Sequence, residues 1–300
     1  PSNAELRSTL GRAYLDEARG KVANDQFELA KRLDPASPTP WYYGAFGKLQ
    51  ANDLLGAVAD GRRAIELNDN RAVLRSDSLL DSDRAARNAD LGQAYRRLGF
   101  EASLEDAARH AIEDDPANSA AHRLMGDAYA GQTGFEEARV SELLQARLRA
   151  PLGSRPADAY QLVPALPVLD GPRALSPDET TALFSSGSGQ LHAGLLFGSQ
   201  DTRGLSLTAS GASDKAQASV SAFDLRSDGF GDAADIAISG QRLALQLAPS
   251  AVTSILGELN HSDRSGSNTA QRLFPDAGDP DRDIVTRRDS GRISLRHAPS

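Results

Sequence analysis

The chain has 300 residues, enough for two domains, and its 33 basic and 41 acidic side chains give a formal charge of −8. Residues 1–150 carry 20 basic and 24 acidic groups and residues 151–300 carry 13 and 17, so neither half has the concentrated basic face of a nucleic-acid-binding domain. Cysteine is absent, which excludes disulfides and thiolate zinc sites, and no apolar run reaches the roughly 18 residues of a membrane-spanning helix.

The sequence starts at Pro1, with neither a methionine nor the charged and apolar regions of a signal peptide. We therefore expect either a processed chain or a fragment of a longer one.

A 34-residue period organises the first 150 residues. A Leu/Met-Gly-x-x-Tyr motif recurs at residues 10–14, 91–95 and 125–129, followed by recurring alanines and by Pro35 and Pro116. These positions define units over residues 4–37, 38–71, 85–118 and 119–150. The pattern resembles the tetratricopeptide repeat, which implies an α-solenoid of antiparallel helix pairs over residues 1–150. Glycine and alanine are expected where two helices approach most closely, and the prolines are expected to end their helices.

Residues 72–84 interrupt the register between the second and third units. The sequence allows either an extra helical turn or a loop there.

The resemblance also implies a concave groove that binds a protein or a peptide. Tyrosine and arginine are residue types that anchor interfaces, and they are frequent at the repeat positions that line this groove in the family. Those positions are Arg12, Tyr42, Tyr43, Phe46, Gln93, Arg96, Arg97 and Arg123. The alternative is that Tyr42 and Phe46 pack between repeats while the arginines form a solvated surface. The Lys/Asn set that clamps a C-terminal carboxylate in chaperone-binding members is absent.

Residues 151–190 are predicted to form a linker rich in proline, serine and glycine. Six of the fifteen prolines lie between 151 and 177, and the run SSGSGQ follows at 185–190. Such composition favours extended chain over helix.

Residues 191–300 alternate apolar and polar side chains with a period of two. Examples are the leucines at 205 and 207 and those at 243, 245 and 247. This alternation predicts about six antiparallel strands, each with one apolar face. Short connections at 211–214, 248–250 and 298–300 alternate with longer ones at 226–233 and 262–282, a pattern typical of an outer-membrane β-barrel.

Two observations count against a barrel. No tryptophan or tyrosine follows Tyr160, so a membrane-interface girdle would have only phenylalanines. About six strands are also fewer than the eight of the smallest bacterial barrels. A soluble β-sandwich is therefore the alternative.

Four segments carry a wider resemblance: ELNDNRAVLRS at 66–76, ARVSELLQ at 138–145, FDLRSDGF at 223–230 and LFPD at 273–276. They are similar to bacterial envelope proteins in which periplasmic tetratricopeptide repeats precede a barrel like that of TonB-dependent receptors. The resemblance implies α + β architecture in separate domains, an N-terminal α-solenoid and a C-terminal antiparallel sheet that is part of an outer-membrane barrel.

Chemical motifs are scarce. Asp276, Asp279, Asp281 and Asp283 alternate in PDAGDPDRD, but the glycine and glutamate of an EF-hand are missing, so a solvated loop is the preferred interpretation. The GxSxG, SxxK, HExxH and Walker A patterns do not occur. We expect no enzyme activity, no catalytic residues, no metal site and no cofactor.

The sequence thus predicts a non-catalytic protein of the periplasm and outer membrane of a Gram-negative bacterium. Its groove would bind a protein partner, and its β region would anchor the protein in the membrane or form a passage through it. Two alternatives stay open: exopolysaccharide export, by analogy of architecture, and a soluble scaffold with a C-terminal β-sandwich.

Overall fold

The computed structural model describes residues 3–71, 76–153, 189–229, 235–250, 252–267 and 283–298. The chain divides into two compact units, one helical and one built on a β-sheet. Most of the predicted linker, and the aspartate-rich loop as far as residue 282, lie outside the described residues.

Eight α-helices form the helical unit within the described residues. They pair as consecutive antiparallel hairpins: α1 (Ala4–Asp16) with α2 (Gly20–Leu33), α3 (Thr39–Gln50) with α4 (Leu54–Glu66), α5 (Asp77–Leu98) with α6 (Glu101–Asp114), and α7 (Ser119–Ala128) with α8 (Glu136–Arg149). Short 3-10 turns follow α4 and α7. Four consecutive helix pairs make the unit a helical repeat.

The stack has an inner side. The first helices of consecutive pairs (α1, α3, α5 and α7) contact one another more closely than the second helices do. Because elements on the inside of a curved stack lie closer together, the first helices line the inner face. We call the side of the stack formed by α1, α3, α5 and α7 the inner face below.

Prolines end helices α2 and α6 as predicted, through a repeated turn. Asp34 and Asp115 precede Pro35 and Pro116 and have nearly the same extended backbone, with φ of −143° and −141°. Proline restricts the preceding residue to this region and so stops the helix. Each aspartate also accepts a hydrogen bond from the backbone N–H two residues on, at 3.1 and 2.9 Å.

The interrupting segment at 72–84 is partly helical. Its residues 77–84 form the first two turns of α5, so this helix begins well before the repeat motif at Ala85. The extension is held from both sides, because Arg84 contacts Asp69 of the preceding turn at 2.7 Å and Asp114 of α6 at 3.5 Å. Residues 72–75 lie outside the described part of the chain.

Six strands form one antiparallel meander in the order of the sequence. They are β1 (Gly189–Phe197), β2 (Arg203–Ala212), β3 (Ala216–Ser227), β4 (Ile236–Ser250), β5 (Thr253–Ser267) and β6 (Asp283–His297). Short turns join β2 to β3 and β4 to β5, whereas the connections from β1 to β2, β3 to β4 and β5 to β6 are longer. The long and short connections therefore lie at opposite ends of the sheet.

The sheet is not closed into a barrel. Among the described strands, β1 pairs only with β2 and β6 pairs only with β5. The antiparallel sheet of the predicted fold is confirmed, and its edges are open.

None of the described helices combines the length and the apolar character needed to cross a membrane.

Candidate functional site

The residues predicted to line a groove occupy two environments. Tyr42, Tyr43 and Gln93 are buried, while Arg12, Phe46, Arg96 and Arg123 are partly buried and Arg97 is exposed. All of them lie on the first helices α1, α3, α5 and α7. The structure therefore brings them to one side of the stack, but at different depths.

The two tyrosines are packing residues. Tyr43 stacks on Phe27 of α2 with ring centroids 6.2 Å apart, and Arg12 of α1 lies over its ring at 5.5 Å. The Tyr42 hydroxyl donates a hydrogen bond of 2.5 Å to Asp90 of α5. Both rings thus join α3 to its neighbours, and they offer little surface to a ligand.

Arg97 hydrogen-bonds the C-terminal end of α3. Its guanidinium donates to the Leu49 carbonyl at 2.5 Å and to the Asn52 side chain at 2.7 Å. The last carbonyls of a helix lack partners within the helix, so Arg97 of α5 caps α3 from the next repeat. Arg12, Arg96 and Arg123 of the inner face remain partly accessible.

A cleft between α3, α4 and α5 lies beside these residues. It is lined by Tyr42, Phe46, Leu49, Asp90 and Ala94, among others, and its cavity of about 20 Å³ holds roughly one water molecule. A peptide side chain does not fit there, so binding at the inner face has to use its surface.

A buried charge cluster in the first two repeats was not predicted from the sequence. Lys31 of α2 lies 2.6 Å from Asp60 of α4, and both side chains are almost completely buried. Lys48 reaches the same carboxylate at 2.7 Å. A Cβ at Gly44 would lie 3.0 Å from both Asp60 Oδ2 and Lys31 Nζ, so glycine at this position makes room for the ion pair. The only sequence signal is a lysine and an aspartate 29 residues apart, each on a helix whose other buried residues are alanines and one further uncharged residue, Phe27 or Gly61.

The sheet has an apolar face that is exposed. The register places the alternating apolar residues of all six strands on one side, for example Leu195 opposite Leu205, and Val220 opposite Leu243. Leu195 is 70% exposed and Leu245 is 47% exposed. We call this side the apolar face; it comprises Leu191, Ala193, Leu195, Phe197, Leu205, Leu207, Ala209, Ala216, Ala218, Val220, Ala222, Leu243, Leu245, Leu247, Ile255, Leu259, Ile293 and Leu295.

The opposite side, the polar face, buries hydrophilic residues. Thr208, Ser221, Arg242 and Glu258 are each at most 5% exposed, and Arg242 lies 3.5 Å from Glu258. Apolar side chains interrupt this face towards the long connections, where Phe223 packs closely against Gly240. The usual distribution of a water-soluble sheet, apolar residues inside and polar residues outside, is therefore reversed over most of this sheet.

A charged cluster borders the apolar face near the long connections. His261 contacts Asp289 at 2.6 Å and Asp263 at 2.9 Å, and Arg287 contacts Asp263 at 2.8 Å. The hydrogen bond to Asp289, followed by that to Asp263, raises the pKa of His261. The hydrogen bond from Arg287, followed by that from His261, lowers the pKa of Asp263.

Metal-ligating residues do not converge in the described part of the chain: no group of three or more histidines, aspartates or glutamates there could hold an ion. Of the four predicted loop aspartates, three lie outside the described residues and Asp283 begins β6.

No protein family and no curated protein matches the chain. Solved structures do. A crystal structure of MamA is 23% identical, covering 50% of this chain and 79% of its own, with a TM-score of 0.41. The Cut9–Hcn1 hetero-tetramer of the APC/C is 17% identical over 50% of this chain and 28% of its own, with a TM-score of 0.44. MamA from Desulfovibrio magneticus RS-1 is 14% identical over 48% of this chain and 93% of its own, with a TM-score of 0.24.

These neighbours are helical repeat proteins of the tetratricopeptide type. At TM-scores below 0.5 these similarities carry no argument about function. The helical unit is a repeat by its own 34-residue period and by the packing of its helix pairs. Nothing in the comparisons supports a barrel like that of TonB-dependent receptors.

Proposed function

We propose that this chain is a non-catalytic protein of the Gram-negative cell envelope. Its helical repeats bind a partner protein on the inner face, and its sheet lies in the outer membrane with the apolar face against lipid. The observation that carries the proposal is the reversed sheet, in which leucines are exposed while Arg242 and Glu258 are buried.

The energetics of the apolar face favour lipid over water. Burying one leucine, isoleucine or valine side chain contributes about 1.5–3 kcal/mol. This face presents at least ten such side chains, most of them about half exposed or more. Exposed apolar patches this large mark interaction sites rather than ordinary protein surface. Strands of membrane sheets alternate in this way, with apolar residues towards lipid and polar residues away from it.

The slant of the apolar face supports lipid as the covering material. Taking Leu191–Phe197 as the apolar segment of β1 and Ile293–Leu295 as that of β6, apart from the isolated Val285, the centre of the segment shifts along the ladder from residue 194 to residue 294. The shift is about six residues, or roughly 20 Å, across five strand spacings of about 4.8 Å each. An apolar band with this slope corresponds to strands tilted by about 40° from the membrane normal, within the range of about 35–45° found in membrane barrels.

Membrane insertion also requires paired edges. Unpaired backbone N–H and C=O groups cost several kcal/mol each in hydrocarbon, so β1 and β6 have to pair with further strands when the sheet lies in a bilayer. The proposal therefore includes pairing of these two edges in the assembled protein.

The inner face supports partner binding by its residue types. Arg96 and Arg123 lie partly exposed on α5 and α7, and arginine is enriched among the residues that dominate interface energies. The buried tyrosines of α3 keep the helices beside them in fixed positions. In vivo photo-crosslinking tests this part: a crosslinker at Arg96 or Arg123 is expected to capture a partner, and one at Arg109 on the second helix α6 is not. Equal capture from all three positions would contradict an inner-face site.

Flotation with lipid vesicles tests the membrane part. The full chain refolded with outer-membrane lipids is expected to float with the vesicles. Leu245→Arg places a charge on the apolar face and should reduce the floating fraction, because arginine near the bilayer centre costs about 2–4 kcal/mol. Ala244→Arg is the matched control, since it puts the same charge on the polar face of the same strand.

Two results would contradict the membrane part. If the wild-type chain stays in the aqueous fraction, the apolar face is covered by protein and the soluble β-sandwich scaffold becomes the better description. If Leu245→Arg and Ala244→Arg float equally, the apolar face does not meet lipid.

Exopolysaccharide export is a second candidate for the same envelope setting. It is favoured by the arginines on the polar face of the sheet, the side that would line a passage.

A further inference from the structure

The polar face carries a large excess of positive charge for an acidic protein. Its described strands present five arginines and a single carboxylate, that of Glu258. The arginines are Arg242, Arg264, Arg288, Arg292 and Arg296. The whole chain carries a net charge of −8, so this concentration is local.

Three of these arginines form a row along β6. Arginine and serine alternate on its polar face, because Arg288, Ser290, Arg292, Ser294 and Arg296 are two residues apart. Successive arginines are therefore about 14 Å apart, and the row is about 27 Å long. Arg264 lies on the polar face of the neighbouring strand β5, two positions beyond the partner of Arg288.

A single internal carboxylate cannot neutralise the row. Glu258 lies 3.5 Å from Arg242 of β4, and its register partner on β6 is Arg292, so one carboxylate stands among five arginines. Within the described residues, Arg264, Arg288, Arg292 and Arg296 form no ion pair. A row of unneutralised guanidinium groups, each with several N–H donors, suits a ligand with repeated negative charges.

We propose that the polar face binds an acidic polysaccharide, a chain of carboxylated sugars that lies along the β6 arginines. The length of the row favours a polymer, because a small anion would reach only one arginine. Hydroxyl and amide groups border the row, with Asn260 donating to Ser290 at 3.3 Å, and such groups hydrogen-bond sugar hydroxyls. Nucleic acid is disfavoured because single strands bind on aromatic platforms, and the only aromatic ring of the described polar face, apart from His192, is buried Phe223.

The inference rests on the proposed function in one respect: it assigns a cargo class to the face that lines a passage. Binding itself needs only the folded sheet.

The test measures binding of the full chain, in detergent micelles, to alginate as a polyuronate probe. The variant Arg288→Gln/Arg292→Gln/Arg296→Gln should raise Kd by more than about tenfold and flatten the salt dependence of binding. The matched variant with lysine at the same three positions keeps the charge and should retain most of the affinity. Arg287→Gln removes one charge from the opposite face of the same strand and should leave Kd unchanged.

Several outcomes would overturn the inference. Wild-type Kd values equal for alginate and neutral dextran would exclude charge recognition. Equal weakening by Arg287→Gln would indicate a general charge effect. If glucuronate monomer binds as tightly as alginate, the ligand is a small anion and not a polysaccharide. If RNA or polyphosphate binds more tightly than alginate, the ligand is a different polyanion.

Vesicle flotation of the same proteins separates the two proposals. A wild-type chain that floats but does not bind alginate contradicts only the cargo assignment. One that binds alginate but does not float contradicts only the membrane role. The triple glutamine variant should float like the wild type, which shows that its sheet is folded.

Discussion

At the residue scale, glycines allow the helices of each repeat to pack closely. A Cβ at Gly11 would lie 2.5 Å from Phe27 Cε1, and Cβ atoms at Gly92 and Gly126 would collide with Leu124 and Leu143. These are the glycines of the motif that sets the 34-residue period. The motif is thus a packing requirement that recurs once per helix pair.

Gly11→Ala should destabilise the helical unit. Phe27 is completely buried and cannot move aside, so overpacking of about 1–3 kcal/mol outweighs the roughly 1 kcal/mol gain in helix propensity. Gly20→Ala is the control, because no atom lies within 4 Å of its added Cβ. Urea unfolding followed by fluorescence of Trp41 measures both changes, since Trp41 is the only tryptophan and lies in α3. Equal stability of the two variants would contradict this packing account.

The His261 cluster predicts a pH dependence at the sheet. Because the folded-state pKa of His261 is raised, its contacts with Asp289 and Asp263 stabilise the sheet fully below the ordinary histidine pKa, and this contribution is lost as the pH rises through the folded-state value. NMR titration should give His261 a midpoint above about 6.5. Asp289→Asn should lower that midpoint, whereas Asp201→Asn, in the loop between β1 and β2, should leave it unchanged. An unshifted midpoint in the wild type would contradict the contacts.

At the element scale, helices from different repeats are joined by charges. Lys31, Asp60 and Lys48 lie on α2, α4 and α3, so one buried carboxylate holds three helices. Removing one partner of a buried ion pair leaves an uncompensated charge, which is more costly than the pair is stabilising.

Asp60→Ala should lower the free energy of unfolding of the helical unit by about 3 kcal/mol, the lower end for such pairs, because Glu28 still contacts Lys31 at 2.8 Å. Glu66→Ala removes the exposed partner of Arg63 on the same helix and should cost at most about 1 kcal/mol. If Asp60→Ala lowers the free energy of unfolding no more than Glu66→Ala does, the buried ion pair stabilises the helical unit no more than an exposed one.

The sequence predicts the elements better than their contacts. Period and proline placement locate the helix pairs, and alternation locates the strands, because both patterns are set by local geometry. The Lys31–Asp60 pair was not predictable, since it depends on how α2 and α4 meet across α3. The same holds for Tyr42 and Tyr43: the repeat pattern assigns them to the first helix, but packing against Phe27 and Asp90 takes them away from the surface.

At the scale of the whole molecule, the sequence could predict that each strand has an apolar face but not which face would be exposed. Only the register brings Leu195, Leu205 and Val220 into one slanted surface and places Arg242 and Glu258 behind it. The slope of about 40° follows from the staggering of the apolar segments between strands. That surface is the basis of the proposed membrane role.

Spin labelling of β4 in lipid vesicles tests this role most directly. The chain has no cysteine, so a single introduced cysteine is the only attachment site at each of residues 243–247. Labels at 243, 245 and 247 should be readily reached by oxygen, which concentrates in lipid, whereas labels at 244 and 246 should not. A water-soluble paramagnetic agent serves as the second probe. If it, and not oxygen, reaches the labels at 243, 245 and 247, the apolar face does not lie in the membrane and the central claim is wrong.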